Sequence, residues 1–358
     1  MKLFQFREQR QPVAGLDLGS DSVRIVQLQR EAGATRVQRS ISLPWPEGVL
    51  PSDGRHNPTR LGEILREMLA NQDVNLGSVV CALPISAIFL KRLKSPNLPW
   101  NELKSYVELE AISIVPPSGG AVCIDFQILR KLPDGNLEIL LVAAKQEALD
   151  ALTQTMVASG LDVPIIDVDV FAAHNAFEAF SQSSLDRSTA IIHLGLRSSN
   201  ISLRSSGQLM FAGDLESSVE SVCELLADAL RMNQSESRRV LFSESNDGSQ
   251  FQPALTEVLR SVSDDIARRL NLIWQIADLS EPINSIVICG EGAHIPTLRR
   301  FLEDLTNRTV LPFDPLTALS ADGEDAFTTP SSFTIAIGLA LRSPGDRVVS
   351  LGGMDDND

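Results

Sequence analysis

One layout occurs in both halves of this chain: a short apolar strand, a tight turn of small polar residues, a second strand, another turn and a third strand. The first copy opens with Val13–Gln29, VAGLDLGSDSVRIVQLQ. Val13, Ala14, Gly15 and Leu16 read as a buried strand, Asp17 to Ser22 as the turn, and Val23, Ile25, Val26 and Leu28 as the apolar residues of the second strand. Arg36 to Leu43 reads as the third. In the second copy, Ala190 to Leu194 is a strand, Gly195 to Asn200 a turn, and Ile201 to Arg204 a strand. Ser206-Gly207 turns the chain again into Leu209 to Leu215. Strands joined by Gly/Ser/Asp turns form hairpins. The first turn is also equipped for an anion. Gly19 lets the backbone come close, several N–H groups can converge, and Ser20 and Ser22 add hydroxyls. Asp17, a hard oxygen ligand at the strand end, suits Mg²⁺ through water. A hairpin turn that serves geometry alone uses the same residue types.

Two such turns in two halves predict lobes that face each other across a cleft and clamp the phosphates of one nucleotide. A third element joins them. Ile286 to Cys289 reads as a buried strand running into Gly290-Glu291-Gly292-Ala293 and then a helix, Ile295 to Leu305. That predicts a Gly-lined surface for a flat base and a helix N-terminus with free N–H groups.

Between the copies lies a different unit. Thr59 is the expected cap of a helix bearing Leu61, Ile64, Leu65, Met68 and Leu69, and Val79 to Leu83 is a buried strand. From Pro84 onward, Ile85 to Leu93 reads as a strand, and Asn101 as the N-cap of a helix with Leu103, Val107, Ala111 and Ile114. Val122 to Arg130 and Leu137 to Ala144 are strands joined at Pro133-Asp134-Gly135-Asn136. Gln146 to Ser159 is a helix ended by Gly160. This is a small α+β module inserted into the first lobe. Val163 to Val168 returns as a strand, followed by a helix from Phe171 to Phe180 and a polar linker from Ser181 to Ser188. The second half adds a helix from Val219 to Leu230, a polar loop from Ser243 to Ser249 and a long helix from Thr256 to Leu279. A short strand, Thr309 to Leu311, precedes a closing helix, Phe333 to Leu341.

The totals narrow the partners. The net charge of −15 over 358 residues argues against generic binding to nucleic acid or to an anionic membrane. No apolar run approaches the ~20 residues that span a bilayer, and no secretory signal is visible before Gln11. Cys81, Cys123, Cys223 and Cys289 each sit in apolar surroundings and read as buried reduced thiols. The four histidines are dispersed. Residues 343–358 are acidic and low in hydrophobicity, which predicts a disordered tail.

At this point the chain, from about Gln11 to Arg342, resembles the actin/hexokinase/chaperone superfold and, within it, the PilM family of type IV pilus assembly ATPases. The most specific stretches are LEAISIVPPSGGAVCIDFQIL (109–129), EILLVAAKQEALDAL (138–152) and SGLDVPIIDVDVFAAHNAFE (159–178). They are similar to the inserted subdomain and return strand of that family, whose nearest relative is the division protein FtsA. The resemblance implies an α/β, actin-like ATPase fold with two lobes of mixed sheets flanked by helices. The first lobe is expected over 12–83 and 162–187, the inserted α+β subdomain over 84–161, and the second lobe over 188–342, with 226–284 its helical subdomain. It implies a cytoplasmic protein at the inner face of the inner membrane, peripheral through its partners. Those partners are other pilus assembly proteins and the N-terminal cytoplasmic peptide of a PilN-like membrane protein, held in a groove beside the inserted subdomain. It also implies ATP and Mg²⁺ in the cleft.

Carried over by position, the first phosphate loop is Asp17, Gly19, Ser20, Asp21 and Ser22, with Asp17 toward the metal. The second retains Gly195, Ser198, Ser199 and Asn200, and the adenine side retains Gly290, Gly292 and Ala293. Three departures stand out. The family's second loop begins with Asp, and this chain has His193, a poor Mg²⁺ ligand expected as a buried strand residue with a satisfied ring. The usual Gly-Gly pair after the third strand is replaced by Asp214-Leu215-Glu216-Ser217-Ser218-Val219. Around Ser235 to Val240 no Lys aligns with the family's ribose-side residue. These departures predict weakened or absent hydrolysis, hence a scaffold for a type IV pilus or a related type II secretion machine. The alternatives are an FtsA-like membrane-tethered filament former and a small-molecule kinase of the same superfold.

Overall fold

The computed structural model of the chain describes residues 13–31, 34–50, 57–72, 74, 76–181, 188–243, 250–277, 282–319 and 330–343. The N-terminal stretch before Val13, the linker at 182–187, the loop at 244–249 and the tail from 344 lie outside the described residues.

The first sheet contains β1 (Ala14–Leu18), β2 (Ser22–Glu31), β3 (Ala34–Pro44), β4 (Ser78–Leu83) and β8 (Asp162–Val168), in the order β3-β2-β1-β4-β8. Two antiparallel pairings from the hairpins are followed by two parallel ones, β1 with β4 and β4 with β8. The second sheet repeats this plan with β9 (Thr189–Leu194), β10 (Ser199–Ser205), β11 (Gln208–Leu215), β12 (Ser285–Cys289) and β13 (Thr309–Pro312), in the order β11-β10-β9-β12-β13. The repeated layout in the sequence is thus a repeated mixed sheet. A third, antiparallel sheet, β5-β7-β6, joins β5 (Ile88–Ser95), β7 (Leu137–Lys145) and β6 (Val122–Lys131). Helix α2 (Trp100–Ile114) covers it through Leu103, Val107 and Ala111.

The remaining helices form layers. Helices α1 (Pro58–Asn71) and α3 (Gln146–Ser159) lie on one face of the first sheet, burying Leu65, Leu69, Leu152 and Met156 against Leu16, Ile25 and Val79. Helices α5 (Val219–Leu230), α6 (Gln234–Phe242), α7 (Gln252–Ile276) and α8 (Leu298–Thr306) cover the far face of the second sheet. A four-residue helix, α9 (Pro315–Ala318), precedes α10 (Thr334–Ala340). Between the two sheets run α4 (Asp169–Phe180) and α10. They cross at backbone contact: a Cβ on Gly338 would lie 1.8 Å from the Ala172 carbonyl oxygen, and one on Gly15 of β1 would lie 1.9 Å from that of Ala336. One apolar cluster spans this middle layer. It takes Val26 and Leu28 from the first sheet, Phe177 from α4, Ile337 from α10, and Ile191, Val287 and Cys289 from the second sheet, with Phe313 edge-on to Phe177.

Several local expectations are corrected. Asn57, not Thr59, caps α1: its side chain accepts from Arg60 N–H, and Pro58 takes the first helical position, where its missing N–H costs nothing. Pro99 precedes α2, and Asn101 lies inside the helix. A 3₁₀ turn, Ile85–Ala87, comes before β5. Helix α4 begins at Asp169, two residues early, and α7 spans Gln252–Ile276, four residues earlier than the periodicity suggests. Cys123 is exposed, and its thiol donates to Gln146 Oε1 at 2.8 Å; the other three thiols are buried. The strand β12 does not run straight into an α-helix. Gly290, at φ +80°, leads into a 3₁₀ turn, Glu291–His294, and α8 starts only at Leu298. The helix N-terminus expected beside the glycines is therefore displaced from them.

Candidate functional site at the seam between the sheets

The first turn is short. Strand β1 ends at Leu18 and β2 begins at Ser22, so Asp17 stands directly opposite Arg24 in the ladder. Trp45 pins the loop from outside: its indole N–H donates to Gly19 O at 2.8 Å, and its backbone N–H to Asp21 O at 2.9 Å. A Cβ on Gly19 would approach Arg24 Nη1 at 2.5 Å and Ser22 O at 2.8 Å, so glycine is required here for space. Ser20 is half-buried at the tip, and Ser22 Oγ donates to Asp21 Oδ1 at 3.1 Å.

Arg24 is the centre of the site. It is 6% exposed, and its guanidinium points into the seam. Nη2 donates to Asp21 Oδ1 at 3.0 Å and Oδ2 at 3.3 Å, and also to Oε1 of Glu291, which comes from the second sheet. Nη1 lies 3.9 Å from Asp17 Oδ2. Burial pushes the Asp17 carboxyl up to about 7, against the opposing pull of Arg24. Burial likewise raises Glu291.

From the second sheet, Gly195 N–H donates to Ser199 Oγ at 3.2 Å, which closes the turn on itself. Gly195 O and Leu196 O accept from Val219 and Glu220, tying this turn to the start of α5. Ser218 and Ser221 form a capping box there, in the region where the family's Gly-Gly pair is expected. Ser198 is exposed. Asn200 is buried and pairs with His193 across the ladder. His193 is buried too, but its ring is not satisfied: Nδ1 has no hydrogen-bond partner. Burial, with the charge of Arg24 second, lowers its pKa to about 4, so the imidazole is neutral at pH 7. Gly290 and Gly292 bring their turn against the end of β9. A Cβ on Gly290 would meet Leu194 O at 2.7 Å, and one on Gly292 would fall inside the Leu194 side chain. Ala293 follows in the same 3₁₀ turn.

The two sheets thus meet at a seam where Arg24 of the first hairpin reaches Glu291 in the turn that follows β12. The groups there are poorly matched to direct Mg²⁺ coordination: Asp17 already faces a guanidinium, and His193 offers an imidazole nitrogen where the family resemblance implies a hard carboxylate.

The sequence model of the type IV pilus assembly protein PilM family matches residues 15–344. The chain belongs to the PilM family. A solved structure described as a PilM–PilN type IV pilus biogenesis complex is 24% identical, with a TM-score of 0.79 over 93% of this chain and 98% of that one. The ethanolamine utilization protein EutJ from Carboxydothermus hydrogenoformans is 14% identical, with a TM-score of 0.54 over 94% and 93%. Both likenesses speak to the fold, which is the actin-like ATPase fold.

Two residues of this PilM-family site escape a sequence reading. Arg24 alternates with Val23 and Ile25 and looks like the solvent side of a strand. Its register opposite Asp17 across a short turn is the signal that could have found it. Asp169, at the start of α4, is buried where the chain leaves β8, and its Oδ1 accepts from Val170 N–H at 2.6 Å and Ile85 N–H at 2.9 Å. Burial nonetheless raises it to about 6.

The carboxyl at position 17 gives a pH signature. Its pKa is about 7 folded against 3.8 unfolded, so between those values the folded state holds the extra proton, and stability falls as pH rises. His193 acts in the opposite sense, gaining stability as pH rises from about 4 to 6.5, and levels off above. From pH 6 to 8 Asp17 loses about 1.4 kcal/mol and Asp169 about 0.4, while His193 returns about 0.8, so the net expected loss is about 1 kcal/mol. Thermal melts should show a lower midpoint at pH 8 than at pH 6, and Asp17→Asn should remove that fall. An undiminished fall in the variant would refute the assignment.

Proposed function

We propose that this chain is a cytoplasmic actin-like scaffold of type IV pilus or related secretion assembly. It works at the inner face of the inner membrane and is held there by its partners. One partner is the N-terminal cytoplasmic peptide of a PilN-like membrane protein. The observation that carries this reading is a groove of about 430 Å³ between the third sheet and the second, lined by Leu90, Arg92, Leu140, Met210, Phe211 and Ile276 among others. Its two walls are β5 and β11, each an edge strand of its own sheet. Edge strands with apolar pockets between them suit an extended peptide, which gains affinity from main-chain hydrogen bonds and specificity from alternate side chains. Arg92 bridges the walls, donating to Leu209 O at 2.9 Å and to Glu138 Oε1 at 2.7 Å. The family match over 15–344 supports the pilus assembly role. The net charge of −15 supports a protein partner over nucleic acid. In this reading 84–161 is the inserted subdomain that forms one wall of the groove, and 12–83 with 162–187 and 188–342 are the lobes.

The seam is proposed as a nucleotide phosphate site with weakened or absent hydrolysis. Arg24 and the backbone of Gly19 and Ser20 would hold phosphate oxygens, and ATP is the ligand the fold suggests. His193, neutral and buried, supplies no hard ligand for a metal.

The test is a titration of a fluorescently labelled N-terminal peptide of the PilN-like protein into the full chain. Leu90→Glu, on the half-buried groove wall, should weaken binding at least about tenfold in a protein that still melts cooperatively, since it removes apolar contact and adds a charge to be desolvated. Equal affinity for both proteins would rule out this groove.

A further inference from the structure

Arg24 belongs to the first sheet and Glu291 to the turn after β12 of the second, yet both are buried and joined through Nη2 and Oε1. Guanidinium recognises carboxylate and phosphate by the same planar, charge-assisted geometry. The Arg24 edge that would meet a phosphate oxygen at this seam is already occupied by a protein carboxylate from the opposite side. Asp21 and Asp17 share the same guanidinium, and its Nε is buried with no partner. The cluster therefore carries one cation, three acids and an unused donor.

We propose that Glu291 is an internal anion that keeps the seam shut, pairing with Arg24 until the phosphates of a nucleoside di- or triphosphate displace it. This rests on the reading of the seam as a nucleotide site. It adds that the site is gated from within, with Arg24 taking the place a metal ion would otherwise fill. The turn that carries this carboxylate is tied to the helix between the sheets. Glu291 begins a four-residue 3₁₀ turn hung on Gly290, and that turn is held to Ser331 by three bonds. Gly290 N–H donates to Ser331 O at 3.1 Å, Ser331 Oγ donates to Gly290 O at 2.9 Å, and the same hydroxyl pairs with His294 Nε2 at 2.7 Å. Ser331 lies just before α10, the helix between the sheets, so release of Glu291 is transmitted to the layer that joins the two halves.

Isothermal calorimetry with ATP in EDTA tests the gate. Glu291→Gln removes the competing charge at nearly constant shape and should bind ATP at least about tenfold more tightly than the parent chain. Adding Arg24→Met to Glu291→Gln should abolish the gain. A Glu291→Gln protein no tighter than the parent, or a gain that survives loss of Arg24, overturns the proposal. The parent chain supplies a second readout that needs no variant: saturating ATP should speed amide exchange at 291–294, and unchanged or slowed exchange there overturns it as well. Peptide titration on the same samples separates the two readings, since a failed gate with normal peptide binding leaves the scaffold function standing.

Discussion

Gly338→Val is expected to leave no folded protein in the soluble fraction, whereas Gly77→Val should express and melt like the parent. A Cβ at 338 would sit 1.8 Å from the oxygen, 2.4 Å from the carbon and 2.8 Å from the Cα of Ala172, all of them backbone atoms in the middle of α4. No rotamer change relieves such an overlap; one of the two helices must move. Helix α10 also packs on β1, where Gly15 meets Ala336 and Ala340 just as closely, so movement away from α4 is blocked. Overpacking a core costs about 1–3 kcal/mol when side chains can yield. Here they cannot, and the cost exceeds that range in a protein whose whole stability is about 5–15 kcal/mol. The clash is with backbone, so Ala172→Gly should not rescue it. Position 77 is exposed with nothing within 4 Å of its would-be Cβ, and a change there should stay within about 0.5 kcal/mol. Soluble yield and circular dichroism melts of the three variants check the expectation. A folded Gly338→Val protein would mean that the two helices do not touch as described.

Arg24→Met should be the most damaging single change among the charged residues of the seam. It keeps much of the side-chain volume but leaves Asp17, Asp21 and Glu291 facing one another without a cation. Removing one partner from a buried ion cluster costs about 3–5 kcal/mol, because the remaining charges stay desolvated and repel. That corresponds to a drop in melting temperature of roughly 5–10 °C for a chain of this size. The loss should be greatest at pH 8 and smaller at pH 5.5. Without Arg24, the opposing pull that restrains the raised Asp17 disappears, so the folded state holds its protons to still higher pH. The double variant with Glu291→Gln should lose less than the two single losses added together, because the groups share one interaction. Strict additivity across the cycle would show that the pair is not coupled.

How far the residues announce this arrangement depends on whether a feature is local. The two hairpin turns are legible because each needs only small polar residues between apolar runs, and the ladders Asp17 to Arg24 and His193 to Asn200 follow from them. The left-handed Gly160 after α3 is legible for the same reason, as is the hairpin through Gly135 at φ +86°. Features made by distant segments are not. Arg24 looks solvent-facing until the second sheet brings Glu291 against it, and His193 looks like a satisfied core residue until the packing leaves its Nδ1 without a partner. The caps of α1 and α2 differ from the expectation because Pro58 takes the first position of α1 and puts the cap at Asn57, while α2 starts at Trp100, directly behind Pro99, with no side-chain cap. The family resemblance extended to the overall fold, while the chemistry of the seam rests on residues whose neighbours lie about 270 positions away.

The apolar cluster in the middle layer has a consequence for how the molecule lives and dies. Val26, Phe177, Ile337 and Val287 come from four separate stretches of chain, and each buries its surface only because the others are present. Each half has an interior of its own on its outer face, but both also lend residues to this shared layer, so cutting the chain between them would expose oily faces on both fragments. Any opening at the seam must be a slight tilt about this common interior rather than a parting of two self-sufficient bodies.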